Sequence, residues 1–267
     1  MTNNFDVFHK LHHGTKLLCL PNAWDAGSAR LFESVGAPAI ATSSAGVAWA
    51  LGYPDGRIMP AAVGIGAAQN MARVLTVPLS FDVEHGYSDD PATVADNVMR
   101  LIEAGVAGIN IEDGQDAPSA LASKINAIKN AAAKAGTSIF INARTDVYLA
   151  ALVAEGERAG EAVARAKLYA AAGADGMFVP GISKDDEIRT VAAAIALPLN
   201  VMAWPGLASA EQLAQLGARR LSAGSGIAQS VWGMARGLAK DFVATGDSGP
   251  LMTQAMAYGE LQGLFKS

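Results

Sequence analysis

The sequence predicts a (β/α)8 TIM barrel, and three observations carry that prediction. From residue 17 onward, short apolar runs alternate with longer amphipathic ones, the pattern of repeated βα units. A glycine turn recurs just ahead of apolar runs, as Val35-Gly36-Ala37, Glu103-Ala104-Gly105, Ala172-Gly173-Ala174 and Leu216-Gly217-Ala218. Consecutive apolar runs also end in charge, and the C-terminal ends of barrel strands are where this architecture places its reactive groups.

Taken in order, the strand-like runs fall at about 17–21, 39–43, 78–83, 108–112, 139–144, 176–180, 199–203 and 219–223. Helical segments separate them. One opens at Pro91 behind Asp90 as N-cap and closes at Gly105, as helix punctuation requires. The segment Ala45 to Arg57 is long for a connection and carries Gly52-Tyr53-Pro54-Asp55, so it is expected to fold over the barrel mouth. After the eighth run come a helix near 225–244, the turn Gly246 to Pro250, and a terminal helix near 251–264 with Leu251, Met256, Leu261, Leu264 and Phe265. That last apolar face is surplus to a barrel and reads as a subunit contact. The organisation expected is one domain over 1–267, with the barrel at about 17–244 and a C-terminal oligomerisation helix at about 250–267.

The 267 residues are 51% hydrophobic and 17% charged, with a net charge of -5. No basic cluster large enough to neutralise several phosphates is present, which argues against nucleic acid and anionic membrane as partners. Met1 to Lys16 has no apolar signal region, and no 18-residue apolar run occurs, so a cytoplasmic protein is expected. The single cysteine, Cys19 in Leu17-Leu18-Cys19-Leu20, excludes an internal disulfide and reads as a small buried hydrophobe.

Asp82 and Glu84 stand two apart at the end of Pro78-Leu79-Ser80-Phe81-Asp82-Val83-Glu84-His85-Gly86, so strand alternation puts both on one side and His85 on the other. Glu112 ends the next run, and Asp113 alternates away from it. These oxygen donors favour Mg2+, with Mn2+ as a substitute, over zinc. Arg144, two after Asn142, delivers a guanidinium suited to a substrate carboxylate; a salt bridge to Glu112 or Asp146 is the structural alternative. A cation and an arginine together can hold a 2-oxo or 2-hydroxy acid and stabilise the enolate formed when a bond beside the carbonyl breaks. No lysine ends a strand, which leaves a Schiff-base aldolase without a nucleophile. Ser222-Ala223-Gly224-Ser225-Gly226 remains a candidate phosphate turn.

In Ser43-Ser44-Ala45-Gly46, Gly52-Tyr53-Pro54-Asp55, Asp82-Val83-Glu84-His85-Gly86-Tyr87, Ile111-Glu112-Asp113 and Asn142-Ala143-Arg144-Thr145-Asp146, the chain resembles the isocitrate lyase and phosphoenolpyruvate mutase superfamily. The resemblance implies that Asp82 and Glu84 hold Mg2+, directly or through water, with Glu112 beside them. Asp55 would approach the metal waters and the substrate, and Ser43, Ser44 and Ala45 would present hydroxyl and N–H groups to it. Arg144 would bind the carboxylate end or act on the developing charge. It also implies a homodimer or homotetramer that exchanges its last helix. Two departures stand out: no cysteine loop follows Glu112, and Glu84 occupies a position where aspartate is common. Without the cysteine acid, His85, Tyr87 and Tyr53 are the candidate proton donors. The function expected is a Mg2+-dependent carbon-carbon lyase acting on a small 2-oxo or 2-hydroxy carboxylate. Phosphonopyruvate hydrolase or phosphoenolpyruvate mutase activity, and a non-catalytic oxoacid-binding barrel, are the alternatives.

Overall fold

The computed structural model describes residues 4–266. Its strands are β1 Leu18–Leu20, β2 Asn22–Ala23, β3 Ile40–Thr42, β4 Leu79–Asp82, β5 Gly108–Glu112, β6 Phe140–Arg144, β7 Gly176–Phe178, β8 Leu199–Met202 and β9 Ala218–Ser222. All pair in parallel, β1 with β9 and then in sequence down to β3 with β2. β1 and β2 are one barrel strand interrupted at Pro21: its first half bonds the eighth partner and its second half bonds the second. That change of neighbour brings the two ends of the sheet together, so nine segments make the predicted eight-stranded barrel.

The helices are α1 Asn4–His12, α2 Ala26–Ser34, α3 Ser44–Ala50, α4 Ala61–Val74, α5 Pro91–Glu103, α6 Pro118–Lys134, α7 Arg158–Ala172, α8 Asp185–Ala194, α9 Ala210–Gln215, α10 Gly226–Thr245, α11 Gly249–Met252 and α12 Tyr258–Leu264. α3 lies inside the segment expected to be an irregular cover; only 51–60 remains loop. Asp90 caps α5 through the Thr93 N–H, with Pro91 in the first turn, as the sequence predicts. Among the described residues no helix is long and apolar enough to cross a membrane.

Two apolar clusters follow from strand alternation. Outward side chains such as Phe81, Ile109, Ile111, Ile141 and Val201 pack under the helices. Inward ones near the strand starts, Leu18, Leu20, Ala41 and Phe140, close around Phe8 of α1. Phe8 plugs the bottom of the barrel, meeting Phe140 edge-on at 5.3 Å. Gly108 makes room for it, since a Cβ there would lie 2.7 Å from the Phe8 ring.

Above this plug the interior is polar. Asn142 donates to Asn110 and Asn200 at 2.9 Å each, and the fully buried Arg220 donates to Ser222 at 3.1 Å and Asn110 at 3.4 Å. The Arg220 guanidinium also sits over the Phe8 ring at 5.9 Å.

The C-terminal region departs from expectation. The terminal helix near 251–264 is two short helices, α11 and α12, and α12 turns back onto its own barrel, where Leu264 accepts a 2.7 Å hydrogen bond from Arg30 of α2. The larger bare apolar face belongs to α10, whose Val231, Trp232, Met234, Leu238 and Phe242 are exposed while only Ala228 is buried. An eighth barrel helix normally covers the first and eighth strands. Here it does not, and Cys19, expected to be buried, faces outward and is exposed.

His12 generates a prediction about acid stability. Its Nδ1–H donates to the Phe8 carbonyl at 2.8 Å, and its ring stacks on Phe140. Burial first, then the Arg220 charge, lowers its pKa from 6.5 to about 3. Between those values the unfolded chain takes up a proton that the folded chain refuses. Stability is therefore complete above pH 6.5 and falls toward pH 3, by up to about 1.4 kcal/mol per pH unit. Urea unfolding across pH 7 to 4 should show a steeper loss for the wild type than for His12→Leu; parallel profiles would refute the assignment.

Candidate active site

The mouth is built by adjacent strands in register. Asp82 pairs with Asn110, Asn110 with Asn142, and Glu112 with Arg144, so the inward charges at the ends of β4, β5 and β6 converge. Arg144 bonds Glu112 at 2.7 Å and grips Asp146 with two prongs at 2.7 and 3.0 Å. The salt bridge considered as the structural alternative is thus formed to both acids at once. Burial opposes the Arg144 charge, but Glu112, Asp146 and Asp82 outweigh it and raise its pKa. Burial pushes Glu112 up to about 8 against the pull of Arg144.

Asp82 is buried, receives N–H from Glu84 at 3.0 Å and an amide from Asn110 at 3.5 Å, and has its pKa raised by burial. Glu84 comes to its side by a different route from the one predicted. β4 ends at Asp82, and Glu84 sits in a left-handed turn at φ 52°, so alternation does not carry that far. The turn is held from behind: buried Lys124 donates to the His85 carbonyl at 2.9 Å and Asn97 to the Gly86 carbonyl at 3.2 Å. One Glu84 oxygen accepts the Arg57 N–H, and the other, Oε1, is buried without a partner.

Arg57 ties the 51–60 loop across the mouth, reaching Asp116 at 2.8 Å. Asp55 lies exposed on this loop, close enough to add its charge to Asp82 and Glu84. Ser43 caps α3 through the Gly46 N–H. Burial first, then Arg57 and Lys124, lower His85 to about 4, so its imidazole is neutral at pH 7 and carries no spare proton to give as an acid. Tyr87 is half-buried, its hydroxyl is buried and unpartnered, and burial raises its pKa.

Asp113 turns away from Glu112, as predicted, into a network that sequence reasoning missed. It accepts from Tyr169 at 2.5 Å and Arg165 at 2.9 Å, both on α7, and from the Asp146 N–H at 3.0 Å. The signal was present: Glu161, Arg165 and Tyr169 follow at four-residue intervals on one face of an alanine-rich helix. Through Asp146 this network fixes the seat of Arg144.

The donor set fits a hard divalent cation. Asp82, Glu84 and Glu112 offer only oxygen, and Glu84 Oε1 is a buried acceptor with nothing to accept. Among the described residues no group of three or more His, Cys, Asp or Glu side chains is arranged to hold a metal ion; a hard divalent cation such as Mg2+ needs only one or two carboxylates and keeps several waters.

A model of the family described as phosphoenolpyruvate phosphomutase matches residues 8–243. An uncharacterized protein of Mycobacterium tuberculosis is 38% identical over 259 residues, 96% of this chain and 94% of that one. The oxaloacetate decarboxylase of a Bradyrhizobium species (strain BTAi1) is 30% identical, covering 81% and 76%, and the 2-methylisocitrate lyase of Bacillus subtilis 31%, covering 72% and 64%. A Burkholderia cenocepacia structure described as a phosphonomutase superposes with a TM-score of 0.84 at 38% identity, over 89% of this chain and 99% of that one. The chain belongs to the phosphoenolpyruvate phosphomutase family and is an enzyme of the isocitrate lyase and phosphoenolpyruvate mutase superfamily.

Removing Asp113 should be costly. Asp113→Ala leaves Arg165 with Glu161 as its remaining partner and takes the acceptor from the Tyr169 hydroxyl and the Asp146 N–H, and breaking one side of a buried pair costs about 3–5 kcal/mol. Urea unfolding should show that loss, with Asp113→Asn retaining part of it; a variant as stable as wild type would show that the network does not anchor the strand ends.

Proposed function

We propose that this family member is a carbon-carbon lyase that cleaves a small 2-oxo or 2-hydroxy carboxylate through an enolpyruvate-like intermediate. The observation that carries the reading is the convergence of Asp82, Glu84 and Glu112 with Arg144 at three neighbouring strand ends, including a buried carboxylate oxygen with no partner. Mg2+, or Mn2+ in its place, would be held by Asp82 and Glu84 with Glu112 beside them, and when bound it supplies Lewis-acid polarisation of the substrate oxygens.

The chain's own residues do the rest. Arg144, turned from Glu112 or Asp146, holds the substrate carboxylate by parallel hydrogen bonds. The Ser44 and Ala45 N–H groups open α3 and have no carbonyl behind them within the helix; with the Ser43 hydroxyl they meet the oxo and carboxylate oxygens. Asp55, on the loop pinned by Arg57, approaches the same oxygens from above. His85, neutral at pH 7 with its pKa held at about 4 by burial and by Arg57 and Lys124, is a weak base as well as a poor acid, and protonation of the enolate comes from water. The names of relatives, an oxaloacetate decarboxylase and a 2-methylisocitrate lyase, support cleavage beside a carbonyl. The absence of a cysteine after Glu112 separates this site from the cysteine-acid route.

We further assign the assembly to exchange of α10 between two copies. The bare face of α10 matches the uncovered outer strip of β1 and β9, where Cys19 is exposed and Arg219 and Leu221 are half-buried. The end of a cytoplasmic chain would then be covered by its twin.

Two measurements test these readings. Proton NMR in D2O with Mg2+ should show metal-dependent exchange of the pyruvate methyl protons, abolished by EDTA and by Asp82→Ala in a folded variant. Arg144→Lys should weaken pyruvate binding by roughly 10-fold to 100-fold, the worth of one charge-assisted hydrogen bond at ~1.5–3 kcal/mol. Exchange that survives Asp82→Ala would sink the site. For the assembly, light scattering should give a multimer for the wild type and a smaller species for Trp232→Glu; identical masses would remove α10 from the interface.

A further inference from the structure

We infer that the substrate is a monoanion: a 4-hydroxy-2-oxo acid whose far end is an uncharged, largely apolar group lying toward Phe178, Met202 and Trp204. This rests on the lyase reading above and names its substrate class.

The barrel mouth has two unlike halves. On one side, β4, β5 and β6 end in Asp82, Glu112 and Arg144. On the other, β7, β8 and β9 end in Phe178-Val179-Pro180, Met202-Ala203-Trp204-Pro205 and Ser222-Ala223-Gly224-Ser225, without a charged or histidine side chain. Phe178 is the register partner of Arg144, and its ring centroid lies 6.0 Å from the guanidinium carbon. Met202, two beyond the inward-facing Asn200, points the same way from the next strand. Between the loops after β8 and β9 lies a cavity of about 500 Å3, bordered by Met202, Trp204, Gly224 and Gln229 with no charged group in its wall. That volume is within the range of small-molecule pockets. Trp204 is 48% exposed and offers its indole to an occupant.

Charge complementarity sets the occupant. Asp55, Asp82, Glu84, Glu112 and Asp146 crowd the mouth, and Arg144 is the cation among them. Arg57 is engaged by Asp116, and Arg220 is fully buried below, donating to Ser222 and Asn110. One substrate carboxylate can use Arg144. Among the described residues, a second would have to share the divalent cation held at Asp82 and Glu84 or draw Arg57 from Asp116, inside a ring of five carboxylates at short range. A neutral tail meets no such penalty and gains by covering Met202 and Trp204.

A monoanion also selects the bond that breaks. Decarboxylation needs a second carboxylate, whereas a retro-aldol step does not. In R–CHOH–CH2–CO–COO⁻ the 4-hydroxyl gives its proton to water and its oxygen becomes an aldehyde carbonyl. The C3–C4 bond breaks with its electron pair staying on C3 as the pyruvate enolate, and C3 takes a proton from water. R–CHO and pyruvate leave, and nothing is oxidised or reduced.

Calorimetric titration of the Mg2+-saturated protein with 2-oxohexanoate and with 2-oxoglutarate compares a neutral with an anionic tail at similar length. Binding of 2-oxohexanoate at least tenfold tighter, with quenching of tryptophan fluorescence, is expected. Trp204→Lys, a change at a half-exposed position that spares the core, should erase or reverse that preference. In the condensation direction, pyruvate with butanal should react at least tenfold faster than pyruvate with glyoxylate. Tighter 2-oxoglutarate binding, or preference for glyoxylate, overturns the inference. If pyruvate methyl exchange proceeds while the neutral tail gives no advantage, the substrate class alone is wrong; if exchange is absent as well, the lyase reading falls and takes this inference with it.

Discussion

One guanidinium holds the mouth of this barrel together. Arg144 lies between Glu112 and Asp146, and its charge is what permits several carboxylates to be gathered where burial penalises each of them. Even with it, burial holds Glu112 up at about 8; without it, Asp82 and Glu112 would face each other across a poorly solvated gap with no opposing charge. The position of Arg144 is in turn not left to the side chain. Asp113 accepts the Asp146 N–H and is itself clamped by Arg165 and Tyr169. The strand ends are thus tied to α7, and a ligand carboxylate that displaces Glu112 or Asp146 would meet a guanidinium already oriented.

The interior below is organised by the same economy of charge. Barrels of this kind are usually filled by branched aliphatic side chains, whereas this one stacks Asn110, Asn142, Asn200, Ser222 and Arg220. Each buried amide would cost roughly 2–7 kcal/mol without a partner; the Asn142 amide donates to both Asn110 and Asn200, while its own Oδ1 is left without a partner. Arg220 has no carboxylate within hydrogen-bond distance; serine, asparagine and the Phe8 ring face it instead. Burial first, and then this charge, keep His12 neutral where it stacks nearby on Phe140, since a second buried cation there would have no compensation. The plug at the bottom and the acids at the top are therefore joined through one polar column, from Phe8 through Arg220 and Asn110 to Asp82.

Much of this was legible in the residues. The two-residue period of a strand put Asp82 on the interior side and Asn142 with Arg144 on one face, and it turned Asp113 away from Glu112. The period failed one residue past its warrant: Glu84 reaches Asp82 from a left-handed turn pinned by Lys124 and Asn97, and contacts from distant helices cannot be read from a local pattern. Cys19 shows the same limit. Its apolar neighbours promise burial, yet its exposure depends on where a helix more than 200 residues later goes. The partners of Asp113 were visible only as a polar face on α7 and needed the fold to say what that face meets.

The helix that leaves Cys19 bare also borders the neutral half of the mouth. α10 begins at Gly226, directly after Ala223, Gly224 and Ser225, which wall the cavity beside Met202 and Trp204. A twenty-residue helix with an apolar face cannot rest in water at no cost, and whatever covers it will fix the direction in which it leaves the barrel. Because Gly224 is left-handed at φ 61° and its N–H is held by Asn22 at 3.0 Å, that direction is transmitted to the loop rather than absorbed by it. In the proposed exchange of α10 between copies, assembly and pocket shape would be mechanically linked on the side of the barrel that carries no charge, while the charged side is fixed within the chain by Asp113. The acids and Arg144 are thus set by one polypeptide, and the space beyond them is set in part by how α10 is packed.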